Sequence, residues 1–312
     1  MRRLVIPVLL GVGLAVLGVA AERVFYYVPH AGAGDPFWAV QKLGWETACR
    51  LLNVKGIFVA PTVYSIEEQV NMLESAIAAR PDGIATTISS DTAFEAPLVR
   101  ARDLGIPVIA VNIEDYEPPY VPYIAYIGQD EFIVGEVLAN RVLAEFTPKR
   151  AVIGIHQAGL TCLELRAAGI LRVFQNKGIP IEKIDITPYP TQAVEILKAY
   201  LSRYPDTEVI FTLGPLGAHP AIDLVVEQGL KGKVRLATCD VSDQVLSAIE
   251  QGVMICAIAQ QPFMQGFLAA VWLYLYVEYG FIPPAKVQTG PAVIDKATLD
   301  LARKQVQTTG GL

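Results

Sequence analysis

The chain has 312 residues, 53% of them hydrophobic and only 18% charged, with a net charge of −6. That length holds roughly two domains with sizeable cores, and so apolar a chain is not disordered. The acidic balance supplies no basic face for nucleic acid or an anionic membrane. Mean hydropathy is +0.39, high for a soluble protein, so the first question is where the excess apolar residues sit.

Part of the excess is at the front. Arg2 and Arg3 precede an uncharged apolar run over 4–21, which ends in the small residues Gly18, Ala20 and Ala21. A basic start, an apolar stretch and a small-residue exit describe a secretory signal peptide over 1–21. The run also reaches the lower limit for a membrane span, but the small-residue exit is what a signal peptidase requires. No cysteine follows the run to carry a lipid. Loss of this leader leaves 23 basic against 31 acidic side chains.

The rest of the excess lies in short apolar runs at 24–28, 56–60, 83–87, 107–111, 123–127, 151–155, 183–187, 208–213, 233–238 and 253–258. Between them the period is helical: over 65–79, Ile66, Val70, Leu73 and Ile77 share a face, and Ser65 with Glu68 forms a capping box. Strands apolar at nearly every position are buried on both faces, as in parallel sheets flanked by helices. So many alternations exceed one small sheet and predict an α/β protein of two doubly wound parallel-sheet, Rossmann-like lobes. The apolar stretch 266–277 is short for a membrane span and reads as a core helix, ended by Pro283-Pro284.

Catalytic signatures are missing. There is no G-x-S-x-G elbow, P-loop or H-E-x-x-H, and Gly32-Ala33-Gly34 lacks the third glycine of a dinucleotide turn. Cys49, Cys162, Cys239 and Cys256 form no C-x-x-C and read as buried free thiols. His30, His156 and His219 are far apart in sequence, so neither a metal site nor a cofactor is expected. Glu67-Glu68 and Glu114-Asp115 read as surface charge. The inventory is that of a binder, not an enzyme.

In doubly wound sheets ligands meet the carboxyl ends of strands. After the first strand, 30–38 reads H-A-G-A-G-D-P-F-W. Asp35 there is placed to cap a helix opening at Pro36, with Phe37 and Trp38 in the core. Equally, the rings offer a platform for the apolar face of a sugar, with His30 and Asp35 bonding its hydroxyls. Asn112 follows the fourth strand, Thr161, Glu164 and Arg166 the sixth, Asp240 the ninth and Gln260 the tenth. Each alone has an ordinary reading: turn residue, surface arginine, helix cap, loop. Their shared place after strand ends makes the group informative.

The order of pieces resembles the periplasmic sugar-binding proteins of ABC importers, the ribose-binding-like (type I) family, over 24–293. D-P-F-W at 35–38, P-D-G-I at 81–84, G-I-P-V-I at 105–109, I-G-Q-D at 127–130, R-A-A-G at 166–169 and A-Q-Q-P at 259–262 carry it in order. The resemblance implies that Phe37 and Trp38 sandwich the sugar ring, with Asp35 before them. It implies that Asn112, Arg166, Asp240 and Gln260 bond hydroxyls. Two departures reduce polar readout: Asn112-Ile113 stands where many members have aspartate–arginine, and Gly214-Pro215 where they carry asparagine after the eighth strand. His30 and Glu164 are candidates to compensate.

The implied organisation is an N-terminal lobe of 22–127 plus 262–288 and a C-terminal lobe of 128–261 plus 289–312. A three-segment hinge joins them and the ligand cleft lies between. The implied role is periplasmic capture of a small neutral sugar or polyol by a monomer that delivers it to the membrane permease of an ABC importer. A chemosensory ligand-presenting protein shares that site, and a secreted carbohydrate-active enzyme is the remaining class.

Overall fold

The computed structural model describes residues 22–31, 36–62, 64–116 and 120–311. The expected leader at 1–21 and the cap and ligand roles expected of Asp35 lie outside them.

A first sheet is built from β1 (Val24–Val28), β2 (Lys55–Phe58), β3 (Gly83–Thr86), β4 (Val108–Val111) and β5 (Ala125–Gly128). Helices α1 (Pro36–Leu52), α2 (Ile66–Ala78) and α3 (Asp91–Asp103) connect them. A second comprises β6 (Ala151–Ile155), β7 (Ile181–Asp185), β8 (Val209–Thr212), β9 (Arg235–Cys239) and β10 (Met254–Ala259). Helices α4 (Glu131–Leu143), α5 (Thr161–Asn176), α6 (Pro190–Arg203), α7 (Pro215–Glu227) and α8 (Asp243–Gln251) belong with it. The chain then runs through α9 (Pro262–Tyr279), β11 (Lys286–Gln288), β12 (Ala292–Ile294) and α10 (Leu299–Thr309).

The sheet orders are β11-β5-β4-β3-β1-β2 and β12-β10-β9-β8-β6-β7. Every ladder is parallel except β10–β12. In both lobes the strand order reverses at the strand next to one edge, β1 or β6, which sets a topological switch point at the carboxyl edge of each. The ten strands read from the sequence all form, within a few residues of their expected bounds. β3, β4, β5, β6, β8 and β10 are buried at every position. β7 is not doubly buried: its Glu182, Lys183 and Asp185 are exposed because it closes one edge of its sheet.

Each sheet is covered on both faces. α9 packs on α1 over one face of the first sheet, with Tyr27, Trp45, Ala269 and Leu273 in that core. The 266–277 segment is thus a core helix, and among the described residues no helix is long and apolar enough to cross a membrane. It ends earlier than Pro283-Pro284. Gly280 takes a left-handed φ of 71° and returns its N–H to Tyr276 O, closing the helix at Tyr279.

Other ends follow local chemistry. Ser65 Oγ accepts from Glu68 N at 3.2 Å to start α2, and Asp130 Oδ1 accepts from Phe132 N and Ile133 N to start α4. α8 is capped by Ser242, whose Oγ accepts from Val245 N. Asp240 is therefore not the cap.

The chain passes between sheets at three places: β5 to α4, β10 to α9, and β11 to β12. Thr289 stitches these crossings together. Its N–H donates to Gly128 O at 2.7 Å, its Oγ1 to Gln260 O at 2.8 Å, and its carbonyl accepts from Gln261 Nε2 at 2.7 Å.

Both lobes bring one helix pair together through glycine. A Cβ on Gly44 would fall on Phe263 O and one on Gly266 on Gln41 O, at the α1–α9 crossing. At the α4–α5 crossing, a Cβ on Gly135 would fall on Arg166 O and one on Gly169 on Phe132 O. Backbone atoms cannot swing aside as a side-chain tip can, so Gly169→Ala must part the helices. We expect a loss of about 1–3 kcal/mol, read as a lower urea midpoint. An unchanged midpoint would show that the crossing yields freely.

Candidate ligand-binding cleft

His30 lies two residues past β1's carboxyl end. Its Nδ1 lies 3.0 Å from Thr87 Oγ1, just past β3. Its ring meets Trp38 edge-on at 4.7 Å and Tyr64 at 5.4 Å. Burial lowers the His30 pKa to about 4, so at neutral pH the imidazole is uncharged, with one donor and one acceptor nitrogen. Phe37 and Trp38 lie in the first turn of α1, their rings edge-on at 5.2 Å. Trp38 is 3% exposed, which favours the core reading for that ring, while Phe37 is half-buried.

From the same lobe a chain of polar side chains runs to the hinge. Tyr27 Oη donates to Gln41 Oε1, and Gln41 Nε2 donates to Gln265 Oε1 at 2.6 Å. Asn112 Nδ2 donates to Gln265 Oε1 at 3.2 Å and to Gln260 Oε1 at 3.1 Å. Gln260 Nε2 then donates to Asp240 Oδ1 at 2.5 Å. The strand ends of both lobes are thereby linked side chain to side chain.

On the second lobe Arg166 is 4% exposed, not a surface arginine. Its Nε and Nη2 donate to the two oxygens of Glu131 at 2.6 and 3.2 Å. Nη1 donates to Leu213 O at 2.9 Å and Asp240 Oδ2 at 3.1 Å. Burial pulls the guanidinium pKa down, but the charges of Glu131 and Asp240 outweigh it and hold it well above its ordinary value. Burial lifts the Glu131 carboxyl, against the pull of Arg166. A fork that donates to both carboxylate oxygens is the geometry of an ionised pair. Asp240 is the open end of this group, its side chain 25% exposed.

Three residues at this level have left-handed backbones: Asn112 (φ 67°), Asp240 (φ 62°) and Gln261 (φ 58°). Asparagine and aspartate tolerate that region and glutamine less so, and such conformations gather where a fold aims side chains at a ligand.

Of the sequence candidates, the structure joins Asn112, Arg166, Asp240 and Gln260 into one hydrogen-bonded array and sets His30 beside Trp38. It does not bring in Thr161 or Glu164. Thr161 is exposed at the start of α5. Glu164 is spent on Lys183, with which it makes an ion pair, and on the Gly159 N–H at 2.9 Å.

Three relevant groups escaped sequence reasoning. Glu131 reads as an ordinary first-turn acid behind the cap Asp130, yet it is 4% exposed and anchors Arg166. His156, directly after β6, is 8% exposed and lies within reach of the charges of Arg166 and Asp240. Tyr116, two residues past Glu114, feels the charges of Glu131 and Arg166 across the cleft, and burial is the main cause of its raised pKa. Their signals were present only as positions after strand ends.

Glu114 and Asp115 also correct a reading: they are 7% and 4% exposed, not surface charge. Glu114 pairs with Lys286 at 2.8 Å, and Asp115 Oδ2 accepts from Val121 N at 2.5 Å. The cysteines are all free. Cys49, Cys239 and Cys256 are buried, Cys162 less so. Burial pushes the Cys49 and Cys256 thiols up to about 12 and that of Cys162 to about 11. None is poised as a nucleophile.

Two doubly wound lobes on a three-crossing hinge, with a polar array spanning their facing strand ends, define a two-lobe solute-binding protein. A profile of the periplasmic binding protein domain matches residues 25–280, and the chain belongs to that family. It is 26% identical over 280 residues to the xylose/arabinose-binding protein XylF of Sulfolobus acidocaldarius, spanning 85% of this chain and 69% of that one. It is 24% identical to the D-allose-binding periplasmic protein of Escherichia coli, over 80% of this chain and 84% of that one. Among solved structures, the periplasmic sugar-binding protein of an ABC sugar transporter from Legionella pneumophila is 32% identical. Its TM-score is 0.75, covering 86% of this chain and all of that one. A carbohydrate transporter from Acidothermus cellulolyticus in complex with myo-inositol is 27% identical with TM-score 0.77, covering 92% and 99%.

Proposed function

We propose that the protein captures a small neutral sugar or polyol between its lobes and delivers it to the membrane permease of an ABC importer. The observation that carries this is the array of Asn112, Gln260, Asp240 and Arg166, which ties the strand ends of both sheets at the hinge. The relatives, which include xylose/arabinose- and allose-binding proteins and a myo-inositol complex, support the ligand class.

In this reading the lobes are 22–127 with 262–288 and 128–261 with 289–312, which agrees with strands joining different sheets on either side of each crossing. Closure about the Thr289 crossings buries the ligand. Phe37 supplies ring surface, backed edge-on by the nearly buried Trp38, and His30 with Asp35 bonds hydroxyls on that side. Asp240 accepts from ligand hydroxyls while Arg166, Asn112 and Gln260 orient it and read neighbouring oxygens. Selection comes from leaving a wrong ligand's partners unpaired, each buried miss costing about 1–3 kcal/mol. The protein works as a monomer in the periplasm, exported by its leader, and turns nothing over.

Thermal unfolding in the presence of D-xylose, L-arabinose, D-ribose, D-allose, D-glucose, D-galactose and myo-inositol tests the proposal. At least one should raise the melting temperature in a concentration-dependent way, because a ligand bound only by the native state stabilises it by mass action. No shift with any of them would overturn the ligand class. Turnover of a bound sugar would make the protein an enzyme.

A further inference from the structure

Two departures from the family pattern weaken polar readout, and one has a structural counterpart. Gly214 stands after β8 where the resemblance calls for asparagine. Its φ of 169° is extended backbone open to any residue, so glycine is not required for conformation. A Cβ at Gly214 would lie 3.0 Å from His156 Cε1, 3.7 Å from its Nε2 and 3.8 Å from Asp240 Oδ2. The absent side chain is therefore replaced in space by an imidazole from the neighbouring strand, since β6 pairs directly with β8.

That imidazole is 8% exposed, and its buried Nδ1 has no hydrogen-bond partner. Leaving a buried polar atom unmet is costly, and such an atom on a ring that feels the charges of Arg166 and Asp240 is explained by a partner that arrives with the ligand. Burial, and then the positive charge of Arg166, lower the His156 pKa. A neutral ring carries one accepting and one donating nitrogen, which suits a hydroxyl, itself donor and acceptor.

Resting on the proposed function, we propose that His156 is a specificity-determining residue of the cleft. It meets one ligand hydroxyl through Nδ1, while the Cε1–Nε2 edge of its ring fills the space that Gly214 leaves open, in place of a side chain on the β8 end. The pair also predicts exclusivity: a side chain at 214 and the ring at 156 compete for one volume.

Calorimetric titration tests this with the tightest binder among D-xylose, L-arabinose and myo-inositol, and with each of its monodeoxy analogues. His156→Ala should weaken the parent ligand about ten- to a hundredfold yet match the unsubstituted protein on the one analogue lacking the hydroxyl that His156 meets. Gly214→Asn alone should weaken binding, and Gly214→Asn with His156→Ala should recover part of the loss. His156→Gln, which keeps an acceptor, guards against a variant that merely packs poorly. Equal losses on the parent and on every analogue, or no loss at all, would overturn the assignment. Asp240→Asn runs alongside. If it binds normally, the cleft reading itself fails. If it loses affinity while His156→Ala does not, only the His156 role fails.

Discussion

Glu131→Ala should unfold at a much lower urea concentration than the unsubstituted protein, with an expected loss of about 3–5 kcal/mol. Glu131 sits in the first turn of α4 and Arg166 in the second turn of α5, helices held backbone to backbone at Gly135 and Gly169. The side chains of the pair are 3% and 5% exposed. Neither charge is screened by water, and each was taken out of water to be there. Removing the carboxylate leaves a buried guanidinium whose remaining partners are Leu213 O and the partly exposed Asp240. The loss is therefore the desolvation of an uncompensated charge, not the modest value of an ion pair on the surface.

Glu131→Gln keeps the shape and one accepting oxygen and should fall between. Glu131→Leu with Arg166→Met removes both charges and should regain most of the stability of Glu131→Ala, while binding no sugar. The reading is the urea midpoint at pH 7, taken with an unchanged slope so that the difference is one of stability. A shift in Glu131→Ala worth less than about 1 kcal/mol would mean that the fork is solvated and adds little. The same logic makes Arg166→Ala a poor probe of the site. It strands Glu131 in turn and confounds lost affinity with lost fold.

The strands were legible because an all-apolar run such as Val108–Val111 has one physical meaning in a parallel sheet: both faces are covered. β11 and β12 were not, being three residues each and only partly buried. They exist because edges of two finished sheets offer them partners, which no local pattern records. β7 misled for the opposite reason. Its composition is mixed, but its place in the alternation suggested a central strand, and exposure at a sheet edge is a property of topology.

Part of the site was visible as polar residues after strand ends, Asn112, Asp240 and Gln260 among them. Glu131, Glu114 and Asp115 could not be told from surface acids, because the burial that gives them meaning comes from helices and loops distant in sequence. Glu164 shows the converse. It stands two residues before Arg166 on the same helix and looks equally apt, but that spacing puts it on a different face, where it pairs with Lys183 on the edge strand β7.

The cleanest cut into binding is at Asp240. Its side chain is the accessible member of the charged group, at 25% exposure against 5% for Arg166. It is not a helix cap, since Ser242 holds that role. Its carboxylate accepts from Gln260 Nε2 and from Arg166 Nη1 on separate oxygens, which leaves lone pairs on each for a ligand hydroxyl. A hydroxyl bonded to a buried charge contributes about 1.5–3 kcal/mol, and a charge is worth more still to two hydroxyls at once.

Asp240→Ala should therefore weaken the best-bound monosaccharide by a hundredfold or more, but it also places alanine at a left-handed φ of 62°, which costs about 1–2 kcal/mol of stability by itself. Asp240→Asn avoids that strain, because asparagine accepts this conformation, and retains one oxygen for Gln260 or Arg166. It should bind about tenfold or more weaker with a nearly unchanged urea midpoint. Affinity falling in both variants while stability falls mainly in the alanine form separates a ligand contact from a structural one. If both variants bind within threefold of the unsubstituted protein, Asp240 only positions Arg166 and the proposed cleft is not where the hydroxyls are read.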